Sequence, residues 1–267
     1  MIDTSTWPDV QYTQALSKGG ALLPETRILL RNWRPDESSA DFGERVLRDD
    51  ILGRSTARRA LDIVRVFTLR LLTPTDTPAR HLQRLIAATV PRQVYSDLVF
   101  YYTARRDDLL REYTIQYYWP AVREGSLIIR NESVQRLIAE AQQDGRIRSP
   151  WSLELRRDMA GRVLMTLADF GLLQEDKPAR RQVLSYQPAD GTIVYLAHLL
   201  HGEGVTDASL AEHSAWALFG LEPRDVWNRL EMLAGQDWFI VQRAGQVARI
   251  TWKYDTVEEV VDALVGR

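Results

Sequence analysis

Three stretches of this 267-residue chain carry residue types that could do chemistry. The first is SKGGALLPETRILLRNW, Ser17 to Trp33, where a lysine stands beside two glycines ahead of a helix-like pattern. A phosphate cradle of the G-x-x-x-x-G-K-[ST] type needs a leading strand and a lysine after the last glycine, so that backbone N–H groups wrap the phosphates. Lys18 instead precedes Gly19 and Gly20, and no β-branched run leads in, so the pair reads as a turn. The second stretch is Glu175-Asp176-Lys177, with Asp158 and Asp169 upstream. Acids plus a lysine can hold a metal and activate water, as in a metal-dependent nuclease. Restriction-type nucleases carry that pair on a core strand, whereas this triplet reads as a polar turn ending in Pro178. The third is His198 and His201 in YLAHLLHGEG, which share a helix face but lack the H-E-x-x-H pattern of a zinc site. They read as helix-end residues, His201 near a C-terminus closed by Gly202.

Other catalytic classes have no footing. The chain has no cysteine and no G-x-S-x-G elbow, which removes thiol chemistry and the serine hydrolase pattern. The RDD triplets at Arg48–Asp50 and Arg106–Asp108 read as helix-surface charge pairs. The expectation is a non-enzyme with no metal and no cofactor.

Charge is more informative. The net charge is −2, but residues 54–106 hold ten Arg against three Asp, and residues 187–267 hold five Arg and one Lys against twelve acids. Such asymmetry points to a nucleic-acid surface or an acidic partner-facing region. Lysine occurs only at 18, 177 and 253, and the other 31 of 34 cations are arginine, whose planar fork suits phosphate and base edges. A GC-rich genome enriches arginine equally well. With no basic-then-apolar start and no apolar run of membrane length, a cytoplasmic protein without membrane contact is expected.

These charges must be positioned by helices. In TARRALDIVRVFTLRLL the apolar residues Ala57, Ala60, Leu61, Val64, Phe67 and Leu71 form one stripe, with Arg54, Arg58, Arg59, Arg65 and Arg70 opposite, Ser55 as N-cap and Thr73-Pro74 as stop. Similar helical patterns cover 24–33, 40–52, 79–89 and 91–118, the last rich in tyrosine (95, 101, 102, 113, 117, 118), which could stack single-stranded bases or fill a core. Past Pro120 come two helices, SVQRLIAEAQQ and LELRRDMAGRVLMTLADFGLL, the second with a break near Gly161, then the turn EDKPARRQVLSY and a short strand. At the end SLAEHSAWALFG and RDVWNRLEMLAG read as helices, and DWFIVQRAGQVARITWKY as a hairpin about Ala244-Gly245. The fold class is therefore mainly α: an Arg-rich helical bundle over 1–120, a winged-helix-like unit over 121–187 and a second over 188–267. In the last, Arg224, Asn228, Arg229, Arg243 and Arg249 could meet DNA, although Glu222, Asp225, Glu231 and Asp237 surround them, and an acidic unit of this kind also suits protein docking.

SKGGALLPETRILLRNW followed by LRDDILGRSTARRALDIVRVFTLRLL resembles the BrxA family of BREX bacteriophage-defence systems. The family's Gly-Gly pair and following glutamate correspond to Gly19, Gly20 and Glu25, and its Arg-led long helix to the stretch from Arg54 through Arg59 to Arg65. WSLELRRDMAGRVLMTLADFGLL is similar to the family's tryptophan-led helices, while Asp50, Gly53 and the long C-terminal region depart from the pattern. The resemblance, over about residues 10–185, implies a helical, non-catalytic accessory protein with a NusB-like N-terminal bundle, binding double-stranded DNA beside other BREX components. The expected phosphate contacts are Lys18, Arg54, Arg58, Arg59 and Arg65, with Arg156, Arg157, Arg180 and Arg181 as a second patch. A protein-interaction adaptor is the alternative, and a metal-dependent nuclease the remaining one.

Overall fold

The computed structural model describes residues 10–53, 56–88, 90–177, 180–244 and 247–266, with the backbone alone at 176 and 177. It is mainly helical with two small antiparallel sheets, as the periodicity predicts. The chain forms two compact units. The larger is built from Pro8–Gln83 and Val99–Tyr186, so residues on both sides of position 120 lie within it. The smaller is built from Arg84–Leu98 and Gln187–Arg267.

The larger unit begins with α1 (Ala15–Lys18), α2 (Leu23–Asn32), α3 (Ser39–Arg48) and α4 (Ala57–Phe67). Local chemistry starts each helix where it does. Leu22, in the left-handed region at φ 50°, turns the chain into α2, and Pro24 sits in its first turn, where the missing N–H costs nothing. Ser38 accepts the Asp41 amide to cap α3. For α4 the cap is Thr56, not Ser55: the Thr56 hydroxyl accepts the Arg59 amide at 3.2 Å. Ser55 and Arg54 lie outside the described residues. Phe42 of α3 meets Phe67 of α4 with ring centroids 5.8 Å apart.

After Phe67 the helix widens into a π turn, Thr68–Leu72, and stops at Thr73-Pro74 as expected. Then come α5 (Thr77–Ala87) and α6 (Arg92–Ala104), each contributing residues to both units. The tyrosine-rich stretch is not one helix. It breaks after Ala104 because the Asp107 carboxylate accepts the Leu110 amide and starts α7 (Asp108–Tyr113), which ends in a second π turn, Thr114–Tyr118, before α8 (Trp119–Arg123). Tyr101, Tyr102, Tyr113 and Tyr118 are buried, and Tyr118 donates to the Leu172 carbonyl at 2.8 Å. Core filling, not base stacking, is their role.

The strand β1 (Ile128–Arg130) was not anticipated. It leads into α9 (Asn131–Gln143) and α10 (Leu153–Asp169), which runs unbroken past Gly161. Ser152 caps α10 by accepting the Leu155 amide. Then β2 (Leu173–Lys177) and β3 (Arg180–Val183) follow, and the sheet order is β1-β3-β2. Glu175, Asp176 and Lys177, expected in a turn, therefore lie on a strand.

The smaller unit packs α11 (Asp190–Gly202) against α12 (Pro223–Ala234), the β4–β5 hairpin (Phe239–Ala244, Val247–Trp252) and the unforeseen α13 (Val257–Val265). In the hairpin Ala244 faces Val247, so its two connecting residues lie outside the described ones. SLAEHSAWALFG is two short 3-10 turns, Leu210–Glu212 and Trp216–Phe219, because the Trp216 indole N–H donates back to the Leu210 carbonyl at 2.7 Å. Asp97 of α6 is 1% exposed and accepts from the Gln93 amide group, the Ala189 amide and the Thr192 hydroxyl (2.6, 2.9 and 2.7 Å). It thus supplies the N-terminus of α11 with a carboxylate that Ala189, the capping residue, lacks.

Arg70, assigned by the helical wheel to an outward ridge, is 7% exposed and donates to the Gly19 carbonyl at 2.9 Å. The π turn inserts an extra residue and rotates it inward. Burial draws its guanidinium down to about 10, opposed by the charge of Asp107. Burial pushes the Asp107 carboxyl up to about 6, against the Leu110 amide and the Arg70 charge. Replacing Arg70 by Leu leaves the buried Gly19 carbonyl without its donor and is expected to cost about 1–3 kcal/mol. The check is a urea titration, in which the midpoint should fall.

Candidate nucleic-acid interface

The outer face of α4 carries exposed cations. Arg58 is exposed and makes no ion pair with any described residue, while Arg65 is exposed beside Asp62 (3.6 Å). Exposed Leu61 and Leu69 continue that face. Lys18 reaches Asp62 from the end of α1 at 3.9 Å, and the Arg59 guanidinium donates to the Lys18 carbonyl. Lys18 and Arg65 thus meet at Asp62, Arg59 is tied to the Lys18 carbonyl, and Arg58 is one residue along the chain from Arg59. Lys18 ends a short helix and does not face the start of α2.

The Gly-Gly turn is a crossing point rather than a cradle. A Cβ at Gly20 would lie 3.0 Å from the Thr166 hydroxyl of α10, and one at Gly19 would collide with Leu22 and lie 3.6 Å from Val66 of α4. The need is for close approach, since neither glycine is in the left-handed region. The Lys18 and Gly19 carbonyls are taken by Arg59 and Arg70, and Asp169 accepts the Ala21 amide.

The second expected patch divides. Arg157 is exposed at the start of α10, and Arg156 half-buried. Arg180 is half-buried on β3, with Arg130 of β1 opposite it. Arg181 is 8% exposed, turned to the inner face of the sheet with Glu175 at 3.7 Å, so its guanidinium does not face solvent.

Acidic partners occupy much of the smaller unit's basic set. Arg229 donates to Asp190 and the Pro188 carbonyl (2.6 and 3.0 Å), and Arg243 pairs with Glu231 at 2.8 Å over the Trp227 ring. Arg224, Asn228 and Arg249 are exposed.

His198 is a core residue, not a helix-end one. It is 3% exposed, its Nδ1 donates to the Val194 carbonyl at 2.9 Å, and it packs against Phe239, Trp252 and Tyr254. Burial draws its pKa down to about 4, the Val194 bond opposing and His201 adding. His201 stacks on Trp252 at 4.4 Å. Among the described residues no three His, Asp or Glu side chains are grouped to hold a metal. Asp158 pairs with Arg162 and Asp169 serves Ala21, so the acids upstream of Glu175 are engaged in structure.

A network with no signal in the local sequence joins Tyr12, Glu112 and Arg146. Tyr12 donates to Glu112, Arg146 donates to both, and Tyr12 and Arg146 also share a 2.9 Å backbone bond. It ties the first described residues to α7.

Fold and surface together define a mainly helical protein with basic faces, with His198 committed to packing and Asp158 and Asp169 to bonds within the chain. The chain belongs to the BrxA family, whose pattern matches residues 10–196, and this makes it by family a component of BREX phage defence. A solved structure similar in fold is an uncharacterized protein from Magnetospirillum magneticum, at TM-score 0.60 and 16% identity, covering 79% of this chain and 100% of that one. No curated protein matches the chain. Among the described residues no helix is long and apolar enough to cross a membrane.

Two expected outcomes follow. Arg59→Ala removes the bond to the Lys18 carbonyl and should destabilise by about 0.5–1.5 kcal/mol, whereas Arg58→Ala should stay within about 0.5 kcal/mol of wild type; denaturant melts of both measure this. His198 is neutral in the folded state and titrates higher when unfolded, so its stabilisation is full above about pH 6.5 and is lost as pH falls toward 4. Protection factors of the α11 amides, referred to the intrinsic exchange rate at each pH, should fall over that window, and less so in His198→Phe.

Proposed function

We propose that this protein is a non-catalytic, double-stranded DNA-binding component of a BREX phage-defence system, docking the phosphate backbone on the outer face of α4. The observation that carries this is Arg58, exposed and without an ion-pair partner among the described residues, on a capped helix one residue from the cluster of Lys18, Arg59 and Arg65. Cations on a rigid element position a duplex through its phosphates without reading sequence. The strand–helix–helix–hairpin order of β1 to β3 is winged-helix-like, which adds a second basic surface of the kind such units use. The buried His198 and the partnered Asp158 and Asp169 support action by binding rather than turnover.

One observation favours a protein-docking role for the smaller unit. Arg229 and Arg243 are neutralised by Asp190 and Glu231, and Ile240 and Val247 of the hairpin are 60% and 71% exposed. Other BREX components are the partners for that surface, and retention of such partners after nuclease treatment tests it.

The test of the main reading is equilibrium binding to a short labelled duplex across a salt series. Arg58→Glu with Arg65→Glu should lower the slope of log K against log salt by about 1.8 for two lost phosphates, with circular dichroism unchanged. Unaltered affinity in the folded double variant contradicts it.

A further inference from the structure

The smaller unit holds a cleft of about 320 Å³ where the end of α11 meets the segment leading into α13, a space at the small end of the range for ligand sites. His198, His201, Glu203, Tyr254, Asp255 and Glu258 are among its walls. His198 is 3% exposed, and its Nε2 has no hydrogen-bond partner among the described residues. A buried polar atom in that state calls for a partner from outside. The tautomer fixes what that partner must be. The Val194 carbonyl can only accept, so Nδ1 carries the proton and Nε2 of the neutral ring presents a lone pair. The missing group is therefore a donor. Its surroundings select a cationic one. Glu203, Asp255 and Glu258 are exposed acidic side chains, and α11 brings the negative end of its dipole to the same place. The neighbouring cation, Lys253, is already paired with Asp237, its ammonium 5.8 Å from the Tyr254 ring centroid. His201, exposed and stacked on Trp252 at 4.4 Å, adds a flat ring. A metal ion does not fit, because among the described residues no three His, Asp or Glu side chains are grouped to hold one.

We infer that this cleft receives one arginine side chain of a partner protein, whose guanidinium donates to Nε2 of His198 and to the Asp255 carboxylate while its plane lies along the His201 ring. A guanidinium suits these walls because it is planar, holds its donors in a fixed fork and stacks on aromatic faces. An ammonium is a compact, strongly hydrated point charge and meets the same ring less well. The inference rests on the protein-docking reading of the smaller unit for the source of the arginine, and it gives His198 a task besides packing.

The test titrates the full chain with a blocked Ala-Arg-Ala tripeptide and with its lysine and all-alanine counterparts, following the His198 imidazole by nitrogen NMR and affinity by calorimetry. The arginine peptide should bind saturably and shift the His198 Nε2 resonance, and the all-alanine peptide should do neither. His198→Phe should weaken binding roughly tenfold, as for loss of one hydrogen bond to a charged group. Asp255→Asn, at an exposed position, should weaken it about threefold at low salt, a difference that screening removes. An unmoved His198 resonance, equal binding of the lysine or all-alanine peptide, or wild-type affinity in folded Asp255→Asn overturns the proposal. Partners retained after nuclease treatment with no arginine-peptide binding keep the docking reading and overturn the site. Arginine-peptide binding of the expected pattern with no partner retained sinks the docking reading and supports the site, with a free guanidinium compound as its source.

Discussion

Arg70 reaches the Gly19 carbonyl from the π turn after α4, and it can do so because Gly20 lets the chain pass 3.0 Å, measured from its missing Cβ, from Thr166 of α10. A Cβ at Gly20 would force the Thr166 hydroxyl to give by a few tenths of an ångström. Without the π turn Arg70 would face solvent, and without Arg70 the buried Gly19 carbonyl would lose its donor and Asp107 the larger of its two cationic neighbours. The face presented by α4 depends on this arrangement, because Arg59 completes the same turn through the Lys18 carbonyl.

The arginines of this chain accordingly divide into two populations. Arg45, Arg59, Arg70, Arg106 and Arg229 each donate to a main-chain carbonyl, at Asn32, Lys18, Gly19, Thr73 and Pro188. Arginine suits this because its fork binds a carbonyl and still has donors left, as when Arg45 also pairs with Glu37. The second population, exemplified by Arg58, Arg65, Arg130 and Arg157, is exposed. Only the second can meet an external anion without loosening the fold, so composition overstates the binding surface.

Much of the fold was legible because helix signals are local. The buried part of the stripe at Ala60, Val64, Phe67 and Leu71, the stop at Thr73-Pro74, the RDVWNRLEMLAG helix and the alternation of the C-terminal hairpin all depend on neighbours within a few residues, whereas Ala57 and Leu61 of the expected stripe are exposed. The misses needed distant partners or a departure from the period of 3.6. Arg70 was misplaced because the wheel assumes no π turn. The tyrosine stretch broke where Asp107 capped a new helix, and β1 is three residues long and exists by pairing with β3. Of the expected contacts, Arg58 and Arg65 are exposed as the wheel required, and Arg181 turned inward because β3 alternates.

The central claim is that nucleic acid meets the larger unit and leaves the acidic hairpin unit to other partners. Photo-crosslinking of the whole chain to a bound duplex, with sites mapped by mass spectrometry, tests it most directly. The account predicts adducts on peptides spanning Arg58–Arg65, and none on those spanning Arg224–Arg249. Adducts confined to the Arg224–Arg249 peptides would contradict it.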